Sequence, residues 1–107
     1  MLHKQEYLLV KLAEECAEVA QTATKALTFG VNGIQRDQPL TNAALIWQKF
    51  ADLCAIVNML QAEYVLPSGY MERIHFREMI EKKQDKVGRY MTLSRERGCL
   101  EEERVEV

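Results

Sequence analysis

Hydrophobic positions recur at helical spacing along the first third of the chain. The main stripe advances in steps of three and four, through Leu9, Leu12, Cys16, Val19, Ala23 and Ala26. A second set beside it consists of Ala13, Ala17, Ala20 and Leu27. The two sets predict a first helix from about Leu2 to Phe29, which stops at Gly30 because glycine favours helix C-termini. One apolar face serves the core of the chain, and the small-residue face suits close packing against another helix or another subunit.

The second predicted helix is apolar in nearly every direction. It begins at Thr41 or Asn42, which are both good N-cap residues, and it ends before Pro67. Its apolar positions include Phe50, Leu53, Cys54, Ile56, Val57, Met59 and Leu60. A helix that is hydrophobic all round is buried all round, so this helix needs neighbours on every side.

A third helix is predicted from near Ser68 to about Gly98, and no segment alternates with the period of a strand. The fold class is therefore all-α, with one domain over residues 1–100 and an acidic tail over residues 101–107. In a short chain with three helices, the first and the third cannot cover the second on every side. We therefore expect a helical bundle completed by oligomerisation, with a four-helix-type core shared between chains in a homodimer or homotetramer.

Composition and net charge limit the binding partners and the cellular compartment that we expect for this protein. The net charge of −2 provides no general basic field for a nucleic-acid polymer. The longest nearly apolar run, Phe50 to Leu60, is interrupted by Asp52 and Asn58 and is too short to span a bilayer. Three cysteines without zinc-type spacing indicate a reducing compartment. We expect a soluble cytoplasmic protein that binds neither nucleic acid polymers nor membranes.

An acidic cluster interrupts the first helix in the run KLAEECAEVA, at Glu14, Glu15 and Glu18. Glu14 and Glu18 are spaced i,i+4, where like charges destabilise a helix by a few tenths of a kcal/mol unless a cation lies over them. A lysine at that spacing would be the ordinary choice. The cluster therefore raises the question of which cation it serves.

Asp52 supplies one answer, because an ionised carboxylate in an apolar helix must be paired or bound to a metal. If the first two helices pack antiparallel, Asp52 converges with Glu15 and Glu18 and forms a site for a hard divalent ion such as Mg²⁺. Lys49 lies one turn before Asp52 and offers the other answer, a salt bridge. From spacing alone the two interpretations are about equal.

Two segments, KLAEECAEVAQTATKALTFG and TNAALIWQKFADLCAIVNML, resemble the MazG-like all-alpha nucleoside triphosphate pyrophosphohydrolases. The E-E-x-x-E half of that family's signature is met by Glu14, Glu15 and Glu18. The E-x-x-D half is met at Asp52, while Lys49 stands at the position of its glutamate. The segment EKKQDKVGRYMTLSRERG is similar to the family's third helix.

The resemblance implies cleavage of a nucleoside triphosphate to the monophosphate and pyrophosphate, with Mg²⁺ (or Mn²⁺) as cofactor. It implies that Glu15, Glu18 and Asp52 are metal ligands and that Glu14 is a ligand or an outer-shell base. The substrate-binding residues that we expect are Lys25, Asn42, Lys49, Lys83, Lys86 and Tyr90. The loop Gly30 to Leu40 joins the two metal-bearing helices, so we expect it to lie near the site as a lid or as a base-reading segment.

Lys49 is the departure from the family pattern. An ammonium about 5 Å from a divalent ion costs on the order of 6 kcal/mol at an effective dielectric near 20, before solvent reduces it. Lys49 therefore replaces one metal as a fixed charge on the phosphates, leaves a one-metal enzyme, or closes the site by pairing with Asp52. The leading function is a pyrophosphohydrolase, and the alternative is a nucleotide-binding protein with weak or no turnover.

Overall fold

The computed structural model describes residues 1–67 and 73–103, and these residues are helical apart from their loops and ends. The helices are α1 (Lys4–Phe29), α2 (Asn42–Ala62) and α3 (Arg73–Glu96). Within the described ranges the extended pairing is limited to an isolated antiparallel bridge between Ile34 and Thr41. The prediction of an all-α fold is confirmed. The chain divides into two compact units, Met1–Pro67 and Ser68–Val107.

The first unit is an antiparallel hairpin of α1 and α2. At the end of the hairpin opposite the loop, Lys4 forms an ion pair with Glu63, and Gln5 Nε2 donates a 3.4 Å hydrogen bond to the Glu63 carbonyl. Halfway along, Lys49 of α2 reaches Glu18 of α1. These contacts fix the register that sets the carboxylates of the two helices opposite each other.

Local signals explain where these helices begin and end. Gly30 has φ 89°, and its N–H donates to the Ala26 carbonyl at 2.9 Å, so it ends α1 as predicted. The Thr41 hydroxyl accepts from the Ala44 N–H at 3.2 Å, which confirms an N-cap at the start of α2. The predicted outer ends extend too far: α1 begins at Lys4, and α2 ends at Ala62, followed by Tyr64 with φ 58°.

The face of α1 that packs on α2 differs from the predicted stripe. Leu8 is buried, whereas Leu9 is 45% exposed, and Cys16 and Ala23 are also exposed. Leu12, Val19 and Ala26 do lie on the packed face. The predicted stripe was therefore wrong at Leu9, Cys16 and Ala23. The packed face in fact includes Glu15, which lies one turn from Leu12 and one turn from Val19.

The hydrophobic core of the hairpin is small. Four apolar side chains are buried: Leu8, Ala26, Leu45 and Leu60. On α2 the large side chain of Trp47 is 72% exposed, and those of Phe50 and Met59 are about half exposed. The α1–α2 hairpin by itself therefore leaves much of the apolar surface of α2 uncovered. By length and mean hydropathy (1.3) α2 also meets the criteria for a membrane-crossing helix, which many core helices of globular proteins meet as well.

The second unit contains α3, whose described side chains are exposed almost throughout. The predicted start near Ser68 lies outside the described residues, as do the last four residues of the acidic tail. The helix ends at Glu96, close to the predicted Gly98, which has φ 74°. The Gly98 N–H donates to the Arg95 carbonyl at 3.0 Å, and the Cys99 N–H donates to the Ser94 carbonyl at 2.8 Å. These bonds satisfy carbonyls that the last helical turn leaves without a partner.

Candidate metal centre

Three carboxylates meet in the middle of the seam between α1 and α2. Glu15, Glu18 and Asp52 each offer one oxygen, and these three oxygens lie within 4.8 Å of one another. Glu15 and Glu18 come together because they are one turn apart on the packed face of α1. The antiparallel register then brings Asp52 of α2 opposite them. The structure thus brings together the three residues that the sequence predicted as ligands.

The Glu15 carboxylate is the least satisfied polar group of the cluster. Its Oε2 atom is buried and has no hydrogen-bond partner among the described residues. Burial raises the pKa of Glu15 above its usual range, and the neighbouring charges of Glu18 and Asp52 raise it further. A buried acceptor without a donor destabilises the fold unless a cation or a proton compensates it.

Lys49 places its ammonium at the edge of this cluster. The Nζ atom lies 3.2 Å from Glu18 Oε2 and 3.9 Å from Asp52 Oδ2. The hydrogen bond to Glu18, together with the charge of that carboxylate, raises the pKa of Lys49. Lys49 therefore compensates Glu18 and Asp52, while residues 1–67 and 73–103 provide no donor for the buried oxygen of Glu15.

Replacing Glu15 by glutamine is expected to raise the melting temperature of the metal-free protein at neutral pH. The amide keeps the shape of the side chain, removes the charge and can donate to Glu18. Because folding raises the pKa of Glu15, the folded state binds more protons than the unfolded state between the two pKa values. The wild-type protein is therefore most stable below the pKa of Glu15 in the unfolded state, and it loses stability as pH rises through the pKa of Glu15 in the folded state.

Thermal melts in chelator across the acid range test this expectation. The wild type should lose stability relative to the Glu15→Gln variant as pH rises, and addition of Mg²⁺ should stabilise the wild type more than the variant. A variant that is less stable than the wild type in chelator at neutral pH would contradict the assignment of Glu15 as an uncompensated acid. Glu14→Gln is the matched control, because the Glu14 carboxylate is exposed and already paired.

Glu14 lies apart from the other three acids. Its Oε2 atom accepts from Lys11 Nζ at 2.9 Å, and this contact raises the pKa of Lys11. The carboxylate is about half exposed. A role as an outer-shell base would therefore require Glu14 to leave Lys11.

The connection between α1 and α2 is held close to the hairpin by Asn42. The side chain of Asn42 is 1% exposed; its Nδ2 donates to the Gly30 carbonyl and its Oδ1 accepts from Gln35 Nε2, both at 2.8 Å. Gly33 also belongs to this turn, since a Cβ there would lie 2.5 Å from the Phe29 carbonyl oxygen. Asn42, which was predicted to bind substrate, is thus placed as a residue that shapes the loop.

A cleft of about 220 Å³ opens beside the carboxylates, between α1, the loop and α2. Lys25 and Lys49 contribute the positive charges to its lining, and Glu18 the negative one. The loop contributes Gln35 and Gln38, which sequence reasoning did not single out. Their position between the two acid-bearing helices was the available signal, but loop residues follow no period that would indicate which of them face the site.

Lys83, Lys86 and Tyr90 lie on α3 in the second unit. All three are exposed, and Lys86 Nζ lies 5.8 Å from the centroid of the Tyr90 ring. This distance fits a cation–π contact between two side chains of α3. The three residues share the face that their spacing predicted.

No known protein family, no curated protein and no solved structure matches this chain.

Proposed function

We propose that this chain is a magnesium-dependent nucleoside triphosphate pyrophosphohydrolase that releases the nucleoside monophosphate and pyrophosphate. The observation that carries the proposal is the buried Oε2 of Glu15, which has no hydrogen-bond partner in the described part of the chain and lies in a cluster with Glu18 and Asp52. The sequence resemblance supplies the reaction class. The cleft with two lysines beside the carboxylates supplies a place for phosphates.

The residues present fit a hard divalent cation. Carboxylate oxygens are the preferred ligands of Mg²⁺ and Mn²⁺, and here they come from two packed helices rather than from mobile loops. Glu15, Glu18 and Asp52 would hold the ion. When bound, such an ion polarises phosphoryl oxygens and lowers the pKa of a coordinated water.

The lysines of the cleft would hold the phosphate chain. Lys25 and Lys49 both line it, so their ammonium groups can contact phosphate oxygens from two sides. Lys49 is already held in place through Glu18 and Asp52. Its proximity to both the acids and the cleft favours a role as a fixed charge on the substrate, because a phosphate oxygen can replace one carboxylate as its partner.

A nucleotide-binding protein with weak turnover is the second candidate function. The observation that favours it is the pairing of Lys49 with Glu18 at 3.2 Å and with Asp52 at 3.9 Å. An ammonium in this position competes with a divalent ion for the same oxygens. Under this alternative the protein binds nucleotides without consuming them.

Incubation with a panel of ribo- and deoxyribonucleoside triphosphates and Mg²⁺, followed by ³¹P NMR, separates the two functions. The pyrophosphohydrolase produces monophosphate and pyrophosphate in equal amounts. Release of diphosphate and inorganic phosphate would contradict the proposed bond cleavage. Unchanged triphosphate together with a nucleotide-dependent rise in melting temperature would support the second candidate.

We propose that the protein assembles as a homodimer or a homotetramer, because one hairpin leaves Trp47, Phe50 and Met59 exposed. Light scattering at micromolar concentration without detergent is expected to give twice or four times the chain mass of 12.4 kDa. Trp47→Glu should shift the mass towards the monomer, whereas Tyr64→Glu, which changes an exposed aromatic residue beyond α2, should not. A well-folded monomeric wild type, or recovery only with membranes, would contradict this assembly.

A further inference from the structure

The cleft beside the carboxylates contains uncharged hydrogen-bonding groups as well as charges. Three glutamines contribute to its lining: Gln21 from α1, and Gln35 and Gln38 from the loop. A site for phosphate alone would need cations and N–H donors. Primary amides offer both donors and acceptors, which suits a neutral ligand group with a mixed pattern of polar atoms.

Gln35 is oriented by the structure before any ligand binds. Its Nε2 donates to Asn42 Oδ1 at 2.8 Å, and Asn42 is itself fixed by the bond from its Nδ2 to the Gly30 carbonyl. The bond to Asn42 uses one of the two N–H donors of Gln35, so its other N–H and its Oε1 acceptor can serve a ligand. A fixed amide loses little conformational entropy on binding, which favours discrimination between ligands.

Gln38 lines the same cleft as Gln35. Its backbone N–H donates to the Gln35 carbonyl at 3.1 Å, so the two glutamines belong to one hydrogen-bonded turn. The cleft is smaller than the 300–1,000 Å³ typical of sites that enclose a whole ligand. A cleft of this size has room for one part of a nucleotide, with the remainder in solvent or near the carboxylates.

We propose that Gln35 and Gln38 are specificity-determining residues that read the base of the nucleotide, an inference that rests on the proposed function. The cleft is lined by Glu18 and Lys49 next to the carboxylate cluster, and by the amides of Gln35 and Gln38 from the loop. An amide pairs its N–H and its oxygen with neighbouring acceptor and donor atoms on the edge of a base. Asn42 acts as a positioning residue, through Gln35.

The test compares Gln35→Ala and Gln38→Ala with the wild type on the four bases, in both sugar series. For each nucleotide, kcat/KM and the dissociation constant of a non-hydrolysable analogue are measured, together with the binding of inorganic tripolyphosphate. Gln48→Ala is the matched control, since Gln48 is an exposed glutamine of α2 that does not line the cleft. Gln38 makes no side-chain hydrogen bond within the described residues, so its variant is expected to fold even if loss of Gln35 weakens the loop.

The ratio between the best and the poorest base is expected to fall by on the order of tenfold in each variant, with tripolyphosphate binding unchanged. Asn42→Ala should also reduce the ratio between the best and the poorest base, and by a larger factor than it changes kcat for the best nucleotide. An unchanged base ratio in a Gln38→Ala variant that still binds nucleotides would overturn this inference alone. A change confined to the ratio of ribose to deoxyribose would also overturn it. A wild type that binds neither nucleotides nor tripolyphosphate would instead overturn the proposed function.

Discussion

The Asp52→Asn variant is expected to lose magnesium-dependent stabilisation and to release pyrophosphate at least about 100-fold more slowly than the wild type. Asp52 is the only one of the three proposed ligands that α2 contributes. Without its charge, the ion would be held by two carboxylates of a single helix. Loss of residues that merely orient metal ligands already lowers affinity or activity by about 10- to 100-fold, so loss of a ligand has at least that effect.

Melting temperatures with and without Mg²⁺ in the presence of nucleotide give the first readout. An ion that binds the native state alone adds about 2.7 kcal/mol of stability at a hundredfold excess over its dissociation constant. Asp37→Asn is the matched control, since Asp37 is an exposed loop residue with φ 65°, a conformation that asparagine tolerates. Equal stabilisation of the wild type and Asp52→Asn by Mg²⁺ would show that the ion binds elsewhere.

The Lys49→Glu variant is expected to bind Mg²⁺ at least tenfold more tightly than the wild type, but to turn over triphosphates more slowly because it lacks the proposed phosphate-binding charge. The substitution removes an ammonium that lies 3.2 Å from Glu18 and 3.9 Å from Asp52, and it adds a fourth carboxylate. Both changes strengthen the attraction between the cluster and a divalent ion. Without metal, the same variant is expected to melt at a lower temperature, because four acids then repel one another.

The Lys49→Ala variant distinguishes the effect of adding a carboxylate ligand from the effect of removing the ammonium. If Lys49 only competes with the ion, the alanine variant should bind Mg²⁺ more tightly than the wild type and less tightly than Lys49→Glu. If Lys49 binds the phosphates, both variants should turn over more slowly although they hold the metal better. Metal affinity and rate that are indifferent to both substitutions would place Lys49 outside the site.

The helix boundaries next to the loop could be predicted because they depend on single residues. Gly30 adopts the positive φ that ends α1, and the Thr41 hydroxyl caps α2. The distal ends depend on tertiary contacts as well as local signals. α2 ends at Ala62, next to Glu63, which contacts the start of α1. The residues before Pro67 therefore give no local signal that predicts this end.

The convergence of the three carboxylates could also be predicted, since Glu15 and Glu18 share a face and an antiparallel hairpin brings Asp52 opposite them. The phase of the apolar stripe could not, because two apolar sets lie side by side on the first helix and periodicity alone does not show which positions meet α2. The burial of Asn42 was equally invisible. Asparagine at a helix start is usually an exposed cap, and its role here comes from bonds to Gly30 and to Gln35, which lie elsewhere in the chain.

Anomalous diffraction from crystals grown with Mn²⁺ and a non-hydrolysable nucleoside triphosphate tests the metal centre most directly. The proposed centre predicts a manganese peak within about 2.3 Å of carboxylate oxygens of Glu15, Glu18 and Asp52, with the buried Oε2 of Glu15 among its ligands. Lys49 should then have moved from Asp52 towards the phosphates. Saturating manganese that leaves no peak there, with Lys49 still paired to Glu18 and Asp52, would contradict it.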